Sequence, residues 1–223
     1  MFCFPKVGEP SEEVLQALKN AGIKEQRARK NAVLLREGED NNRIIILDQG
    51  YVKITKMDLN GNVKLLALGH SQALGLAGFF QKKEYPATVT ALTECSYFNL
   101  WRNDLQLLMD EAPVIRDYFL ESMDEFVSYY IWNSVMQTYD STKVQLAGIL
   151  LDIMEEIGKP VENGEVEIPL ALTDEILSNF LGSSRETVTR ILGKWREAGW
   201  IDKKKRCLVI RDSENLRAVT YSE

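Results

Sequence analysis

The stretch Gly182-Ser-Ser-Arg-Glu-Thr-Val-Thr-Arg-Ile-Leu-Gly-Lys-Trp195 decides how the C-terminal part of this 223-residue chain folds. Its apolar residues recur at intervals of three and four, which predicts one amphipathic helix from about Ser184 to Ala198. Gly182 predicts a turn immediately before that helix, and Gly199 predicts its C-terminal end. The residues expected to face the core are Val188, Ile191, Leu192 and Trp195.

The segments on either side of this helix complete an order of elements. Upstream, Thr173 to Leu181 is predicted to form a short helix with Thr173 as its N-cap. Downstream, two strands are predicted around Trp200-Ile201 and Cys207-Leu-Val-Ile210, joined by the basic run Asp202-Lys-Lys-Lys-Arg206. A short helix, a glycine turn, a second helix and a basic hairpin is the order of a winged helix-turn-helix.

The outward face of the second helix has the chemistry that DNA recognition needs. Arginine can donate two hydrogen bonds to guanine, and a carboxylate can accept one from cytosine. Hydroxyl groups, a helix N-terminus and the lysines of a wing can hold the phosphate backbone. The predicted base-facing residues are Arg185, Glu186, Thr189 and Arg190. The other predicted DNA contacts are Thr173, Ser183, Ser184, Lys203, Lys204, Lys205 and Arg206.

Each of these features alone also has a purely structural interpretation. Ser183 and Glu186 have the spacing of a capping box, in which Glu186 bonds the N-cap amide instead of a base. The run from Lys203 to Arg206 has the composition of a solvated turn. We favour DNA binding because the features occur together in one arrangement.

The charge distribution also supports a DNA-binding segment. The formal net charge of −6 taken alone argues against a protein that coats nucleic acid or an anionic membrane. Between Thr173 and Arg211, however, nine basic residues stand against five acidic ones, so this segment carries +4 and the rest of the chain −10. The acidic average therefore conceals a small basic module.

The N-terminal half has a different pattern, in which short apolar or β-branched runs alternate with glycines. Several short strands at this spacing predict a sandwich or a jelly-roll barrel. Asn60-Gly61 predicts a hairpin with a type I′ turn, since both central positions of that turn need positive φ. The predicted strands lie in Ala32–Leu35, Arg43–Leu47, Tyr51–Thr55, Val63–Leu68, Ala87–Ala91 and Ser96–Leu100.

Residues 113–139 are predicted to form one long helix. Pro113 suits the first helical turn, and no glycine follows before Gly148. A helix this long and this apolar is expected to pack on the β domain with one side and on a second copy of the chain with the other. We therefore predict a homodimer. The apolar stripe consists of Ile115, Phe119, Met123, Phe126 and Tyr130, widened by Val127, Ile131 and Val135.

The stretch from Gly182 to Leu192 resembles the recognition-helix signature of the catabolite activator/fumarate–nitrate reductase regulator (Crp/Fnr) family. The resemblance extends over the chain and implies an α+β protein: a jelly-roll sensor domain (1–112), a dimerisation helix (113–139) and a winged helix-turn-helix domain (140–223). The glycines at 38, 50, 61, 69 and 75 fall where that family's roll turns.

By the same resemblance, the chain is expected to be a homodimeric bacterial transcription regulator, not an enzyme, that binds a symmetric operator in double-stranded DNA. The family's pattern makes Arg185, Glu186 and Arg190 the base readers and implies a TGTGA-like half-site. RNA polymerase is implied as a further partner if the protein activates transcription.

Cyclic-nucleotide sensors of this family resemble one another in a Gly-Glu…Arg-Ser/Thr-Ala cassette, whose Arg pairs with the cyclic phosphate and whose Glu pairs with the ribose. The matching stretch here runs from Gly75 to Ala87, with Leu76 in place of the Glu and Tyr85 or Pro86 in place of the Arg. A phosphate in this pocket would lose its hydration without gaining an obvious cationic partner. We therefore predict that cyclic AMP does not bind. The cations that could rescue binding only by a different geometry are Lys82, Lys83 and Arg102.

Aromatic residues stand where charged groups are absent. Tyr85 to Ala91 resembles the cassette of family members that sense halogenated phenols, which implies an apolar or aromatic effector with tyrosine hydroxyls as polar anchors. Alternatively, the rings fill the pocket, and the dimer binds DNA without any effector. The predicted effector-binding residues are Leu76, Phe79, Phe80, Tyr85, Tyr129 and Tyr130.

Cysteine and histidine are too few for most other kinds of sensor. Cys3, Cys95 and Cys207 provide no disulfide framework, no CxxC pair and no set of four thiolates for an iron–sulfur cluster. The single histidine, His70, leaves haem with one candidate ligand and argues against a cupin-type metalloenzyme. A redox switch at Cys3 also stays open. We predict no metal and no other cofactor apart from a possible small organic effector.

The first residues lack the basic region and the long apolar region of a signal peptide. No segment approaches the length of a membrane span. Together with the sparse cysteine, this predicts a reduced, cytoplasmic protein that has no membrane partner.

Overall fold

The computed structural model describes residues 8–139, 141–204 and 207–221, without the side chains of Trp132, Val135 to Tyr139 and Glu162. The predicted redox residue Cys3 and the predicted DNA contacts Lys205 and Arg206 lie outside the described residues. The chain forms two compact units, one within residues 5–128 and one within residues 129–223. This division falls inside the long helix, whereas the sequence analysis placed domain boundaries at the ends of that helix.

The N-terminal unit contains two antiparallel sheets of four strands each. Their strands are β1 (Glu25–Ala28), β2 (Val33–Leu35), β3 (Arg43–Gln49), β4 (Tyr51–Met57), β5 (Val63–His70), β6 (Ala73–Leu74), β7 (Thr88–Ala91) and β8 (Cys95–Trp101). One sheet has the order β1-β8-β3-β6, and the other has the order β2-β7-β4-β5. Burial alternates along β4 and β7, because one side of each strand faces the interior between the sheets. All six predicted strands are present, and the jelly-roll part of the predicted α+β fold is confirmed.

The hairpin between β4 and β5 is present, but its turn differs from the predicted one. Gly61 has a φ of 83°, whereas Asn60 is not among the residues with positive φ, so the turn is not type I′. The Asp58 carboxylate accepts hydrogen bonds from the backbone N–H groups of Asn60 and Asn62, both at 2.8 Å. This side chain therefore closes a longer loop, which the Asn-Gly pair alone does not reveal.

Two helices that the sequence analysis did not assign pack against the first sheet. Helix α1 (Glu12–Asn20) is capped by Ser11, whose Oγ accepts the Val14 N–H at 3.2 Å. Helix α2 (Arg102–Glu111) follows β8 directly. Their apolar faces join β3, β8 and the first turns of the long helix in one core cluster. Its most buried members include Leu18, Ile44, Phe98, Ile115 and Phe119.

The predicted long helix, α3, has the expected bounds, Pro113–Tyr139. Its apolar residues divide between two environments and do not form the single stripe that was predicted. Ile115 and Phe119 are buried in the core cluster, whereas Leu120, Met123 and Val127 are 61%, 40% and 57% exposed. The helix therefore has a second apolar face that the described chain leaves uncovered.

The C-terminal unit contains four further helices and a four-stranded antiparallel sheet, in agreement with the predicted winged helix-turn-helix. The helices are α4 (Thr142–Ile157), α5 (Asp174–Leu181), α6 (Arg185–Glu197) and α7 (Ser213–Thr220). The strands are β9 (Lys159–Pro160), β10 (Val166–Ile168), β11 (Ile201–Lys204) and β12 (Cys207–Ile210), in the sheet order β11-β12-β10-β9. Lys203 and Lys204 lie on β11 and not in the connecting turn, where the sequence analysis placed them.

None of the helices in the described part of the chain combines the length and the apolar run that crossing a membrane would require.

Candidate nucleic-acid interface

Three local caps hold α5 and α6 in a defined turn. Thr173 Oγ1 accepts the Ile176 N–H at 3.1 Å at the start of α5. Gly182 ends α5 in the left-handed conformation, with a φ of 61°, which glycine adopts without strain. Ser184 Oγ accepts the Thr187 N–H at 3.2 Å at the start of α6. These caps fix the first turn of α6, which carries the predicted base readers.

The capping-box interpretation of Ser183 and Glu186 is wrong. Ser184 is the N-cap, so the third residue of the helix is Thr187 and not Glu186. The Glu186 side chain is exposed and has no hydrogen bond or ion pair among the described residues. Its carboxylate is therefore available to an external partner.

The two faces of α6 are sharply different. The inward side chains are Val188, Ile191, Leu192 and Trp195, all buried, and the Trp195 ring stacks on Trp200 with 6.3 Å between centroids. The outward side chains are Arg185, Glu186, Thr189 and Arg190, all exposed. Within the described residues, neither arginine has an ion pair or a side-chain hydrogen bond. The helix is thus anchored by its apolar face and presents two unpaired guanidinium groups.

Thr189 differs from its neighbours on this face because its hydroxyl has a partner within the chain. Thr189 Oγ1 donates to Asp174 Oδ2 at 2.7 Å, across from α6 to the first residue of α5. Asp174 was not among the predicted DNA contacts. Sequence spacing gives no signal for this pair, because the two residues are 15 positions apart and meet only when the two helices pack.

The predicted phosphate contacts are placed at the same end of the motif, with different capacities. Thr173 and Ser184 are exposed, and Ser183 is half-buried. The Ser184 hydroxyl donates to Thr187 Oγ1 at 3.0 Å, so its proton is already used. Thr173 uses an oxygen lone pair for its cap and keeps its proton for an external acceptor.

The wing holds its basic residues in two distinct states. Lys203 is exposed, and its ammonium group has no ion pair within the described residues. Lys204 Nζ lies 3.0 Å from Glu165 Oε2, and Arg211 Nε lies 3.0 Å from the other oxygen of the same carboxylate. Arg211 also contacts Asp202 Oδ2 at 2.6 Å. Glu165 and Asp202 therefore neutralise part of the positive charge that the sequence analysis assigned to DNA.

This difference predicts unequal effects of two adjacent lysines on the salt dependence of DNA binding. We expect Lys203→Ala to reduce the slope of log K against log salt concentration by about two, one phosphate contact for each subunit of a dimer. Lys204→Ala should reduce it by clearly less, because Glu165 already neutralises that ammonium group. Fluorescence anisotropy titrations at several KCl concentrations measure both slopes. Equal slopes for the two variants would contradict this account of the wing.

The six residues predicted to bind an effector are not brought together as a ligand site. Leu76 and Phe79 are 5% and 2% exposed and belong to the core cluster with α1 and α2, whereas Phe80 is 52% exposed. Tyr85 is buried, and its hydroxyl donates to the backbone carbonyl of Arg43 at 2.9 Å. Burial raises the pKa of Tyr85. Tyr129 is buried and Tyr130 is exposed, with their rings in edge contact at 5.3 Å.

The cassette contains a cation, but that cation is used inside the fold. The Arg102 guanidinium lies 4.0 Å above the centroid of the Phe79 ring and donates to the backbone carbonyl of Asn41. Asn41 in turn donates to the carbonyls of Gly75 and Ala77, at 3.0 and 2.9 Å. The sequence analysis named Arg102 as a possible phosphate partner and missed Asn41. Lys82 and Lys83 lie on the exposed surface of the same loop.

Among the described residues, no three His, Cys, Asp or Glu side chains cluster in a way that could hold a metal ion. His70 is held within the fold, with its ring 5.9 Å from that of Tyr51 and Nδ1 3.9 Å from Glu9 Oε1.

Comparison with known proteins places both units. Residues 25–112 match the family of the cyclic nucleotide-binding domain, and residues 144–219 match the Crp-like helix-turn-helix domain. A relative from Mycobacterium tuberculosis, a CRP-like cAMP-activated global transcriptional regulator, is 27% identical over 81% of this chain and 80% of its own length.

Solved structures share the fold at low sequence identity. A mutant of CooA from Carboxydothermus hydrogenoformans has a TM-score of 0.74 at 19% identity, covering 94% of this chain and 92% of that one. CprK complexed with OCPA has a TM-score of 0.70 at 18% identity, covering 98% and 100%.

The two family matches together span well over half of the chain and occur in the order of the two structural units. The C-terminal match contains the capped α5–α6 pair whose outward face carries Arg185, Glu186 and Arg190. The N-terminal match contains the jelly roll. The chain belongs to the Crp/Fnr family of transcription regulators and carries that family's DNA-binding helix-turn-helix.

Proposed function

We propose that the protein is a homodimer that binds a palindromic operator by inserting α6 of each subunit into the major groove. The observation that carries this proposal is the outward face of α6. Arg185, Glu186 and Arg190 are exposed there and have no partners among the described residues. A buried apolar face and a Ser184 cap hold the helix that presents them. Unpaired, pre-positioned groups of this kind form base contacts without first breaking internal bonds.

The three charged side chains favour a half-site that contains guanine and cytosine. Either arginine can bond O6 and N7 of guanine, and the Glu186 carboxylate can accept from N4 of cytosine. A TGTGA-like half-site satisfies these preferences and is our proposed target. Thr173, Ser183, Ser184 and the wing lysines are the proposed backbone contacts, and Lys205 and Arg206 are kept with them from the sequence.

The uncovered apolar face of α3 supports the homodimer. Leu120, Met123 and Val127 are spaced by three and four residues, as in the seam of a coiled coil. Tyr130 and Ile131 continue the same spacing and are 43% and 61% exposed. Covering such a face with a second copy brings two α6 helices to one DNA site, which a palindromic operator requires.

For the sensor domain we propose a ligand other than cyclic AMP, apolar or aromatic in character, or no ligand at all. Leu76 stands in the core where the family's ribose-binding Glu would be. The Arg102 guanidinium packs on Phe79 and bonds Asn41. The relative that is named as cAMP-activated therefore does not carry its effector over to this chain. The packed positions of Leu76, Phe79 and Tyr85 favour a ligand-independent dimer over an effector that contacts all six predicted residues.

Selection from a random DNA pool with the full-length protein tests the DNA-binding proposal. We expect an enriched palindrome whose half-site centres are about 34 Å apart, one helical turn. Enrichment of a single unpaired half-site, or no enrichment over non-specific DNA, would overturn it.

The sensor proposal predicts that cyclic nucleotides leave thermal stability unchanged. A ligand at about 100 times its Kd adds roughly 2.7 kcal/mol of stability, which raises Tm by several degrees in a protein of this size. We expect no such shift with cyclic AMP or cyclic GMP at millimolar concentration. Chlorinated phenols and haem in the same screen test the alternatives, and a saturable shift with a cyclic nucleotide would refute the prediction.

Catalysis forms no part of the proposal, and RNA polymerase is a further partner if the bound dimer activates transcription. The cytoplasm is the proposed location. Metal analysis of the purified protein addresses the remaining cupin-type alternative, which requires a stoichiometric transition metal.

A further inference from the structure

The hydrogen bond between Thr189 and Asp174 changes what the DNA-facing surface can recognise. A carboxylate has no proton to donate, so the Thr189 hydroxyl must be the donor in this 2.7 Å contact. A hydroxyl has one proton, and here that proton is used within the chain. What remains available on Thr189 Oγ1 is a lone pair, which can only accept.

Asp174 adds a second acceptor at the same place. Its Oδ2 lies 2.7 Å from an exposed side chain of the outward face, and its Oδ1 has no partner among the described residues. Asp174 is also the first residue of α5, where the helix dipole favours a negative charge. The carboxylate is therefore held beside the surface that carries Arg185 and Arg190.

We propose that Asp174 and Thr189 act together as a specificity-determining pair that presents only hydrogen-bond acceptors to the major groove. This inference rests on the proposed function, because it takes the outward face of α6 as the face that contacts bases. In the major groove, adenine N6 and cytosine N4 donate, whereas thymine O4 and guanine O6 accept. At one position of each half-site, a base with an amino group is favoured on the strand that the pair faces. A keto base there places acceptor against acceptor.

The neighbouring residue Glu175 offers a matched control. It lies in the same first turn of α5 as Asp174, is exposed, and its carboxylate has no partner among the described residues. Asp174→Asn and Glu175→Gln therefore remove the same charge, and only the first alters the contact with Thr189. In Asp174→Asn the amide can accept from the hydroxyl through oxygen and offer an N–H donor to the groove.

The experiment measures the affinity of full-length protein for the selected operator with each half-site position changed symmetrically through all four base pairs. For the wild type we expect one position per half-site with an amino-over-keto preference of about fivefold, the lower end for a single base contact. Glu175→Gln should keep that preference. Asp174→Asn should reduce it to less than twofold or reverse it, and Thr189→Val should favour thymine at the same position through methyl contact.

The outcomes separate this inference from the proposed function. A wild-type protein that shows no base preference at any position would overturn the proposed function itself. A wild-type protein that selects its operator, with Asp174→Asn and Glu175→Gln giving identical base profiles, would overturn the specificity pair alone. Circular dichroism melts show whether Asp174→Asn is folded, and Thr189→Val, at an exposed position, gives an independent result if it is not.

Discussion

Replacement of Arg185 by alanine is expected to weaken operator binding by roughly 30-fold to 10⁴-fold. Each bidentate arginine–guanine contact contributes about 1–3 kcal/mol of discrimination, and a dimer loses two of them at once. The residue is exposed and makes no ion pair or side-chain hydrogen bond among the described residues, so its loss removes no internal interaction. We therefore expect Tm to change little while operator binding collapses.

Arg196→Ala is the matched control for this prediction. Arg196 lies on the same helix and is exposed, but it stands in the last turn of α6, about 16 Å along the axis from Arg185. Recognition helices contact bases through their N-terminal residues, so this variant should retain operator selectivity. Gel shifts with the operator and with scrambled DNA measure both quantities. Operator selectivity that survives Arg185→Ala would contradict the assignment of base readers.

Introduction of a charge on the uncovered face of α3 is expected to have a comparably large effect through a different route. Val127→Glu places a carboxylate where an apolar seam with a second copy is proposed, and Val127 is 57% exposed in the described chain. Two such carboxylates would face each other across the dimer axis and lose their hydration. We expect a folded monomer in sedimentation velocity, with operator affinity lower by about 10²- to 10⁴-fold because the two half-sites no longer bind together.

Ser128→Glu adds the same charge one residue further along, at an exposed position outside the apolar stripe. This control should remain a dimer and bind the operator normally. A dimer that persists in Val127→Glu, at concentrations where the wild type is dimeric, would show that α3 does not form the subunit interface.

The C-terminal motif could be predicted from the sequence because its determinants are local. The four apolar residues of α6 lie within eight positions of one another, and Gly182 and Thr173 are punctuation that acts on adjacent backbone. The long helix was predictable for the same reason, since Pro113 begins it and no glycine interrupts it. Its division into two apolar faces was not predictable, because burial of Phe119 depends on helices α1 and α2.

Contacts between distant residues account for what the sequence analysis missed. Asp174 with Thr189 and Glu165 with Lys204 are 15 and 39 positions apart, and no spacing rule connects them. The effector residues were grouped because they lie on one predicted cassette and helix. The structure instead places Leu76 and Phe79 in the core cluster, where packing against α1 and α2 determines their orientation. Helix α1 did have a signal, since Ser11 precedes two glutamates and the spaced pair Val14 and Leu18.

The buried position of Leu76 bears on how readily this domain could change its ligand over evolutionary time. Restoring the glutamate of a nucleotide-binding cassette at this position would place a carboxylate in a cluster of apolar and aromatic side chains, at a cost of several kcal/mol unless a cation moved in with it. That cost is a large fraction of the roughly 5–15 kcal/mol that keeps a domain folded. A single-step return to nucleotide binding therefore passes through a poorly folded intermediate. The packing of one leucine thus makes the loss of a nucleotide site hard to reverse and keeps the sensor domain free to diverge.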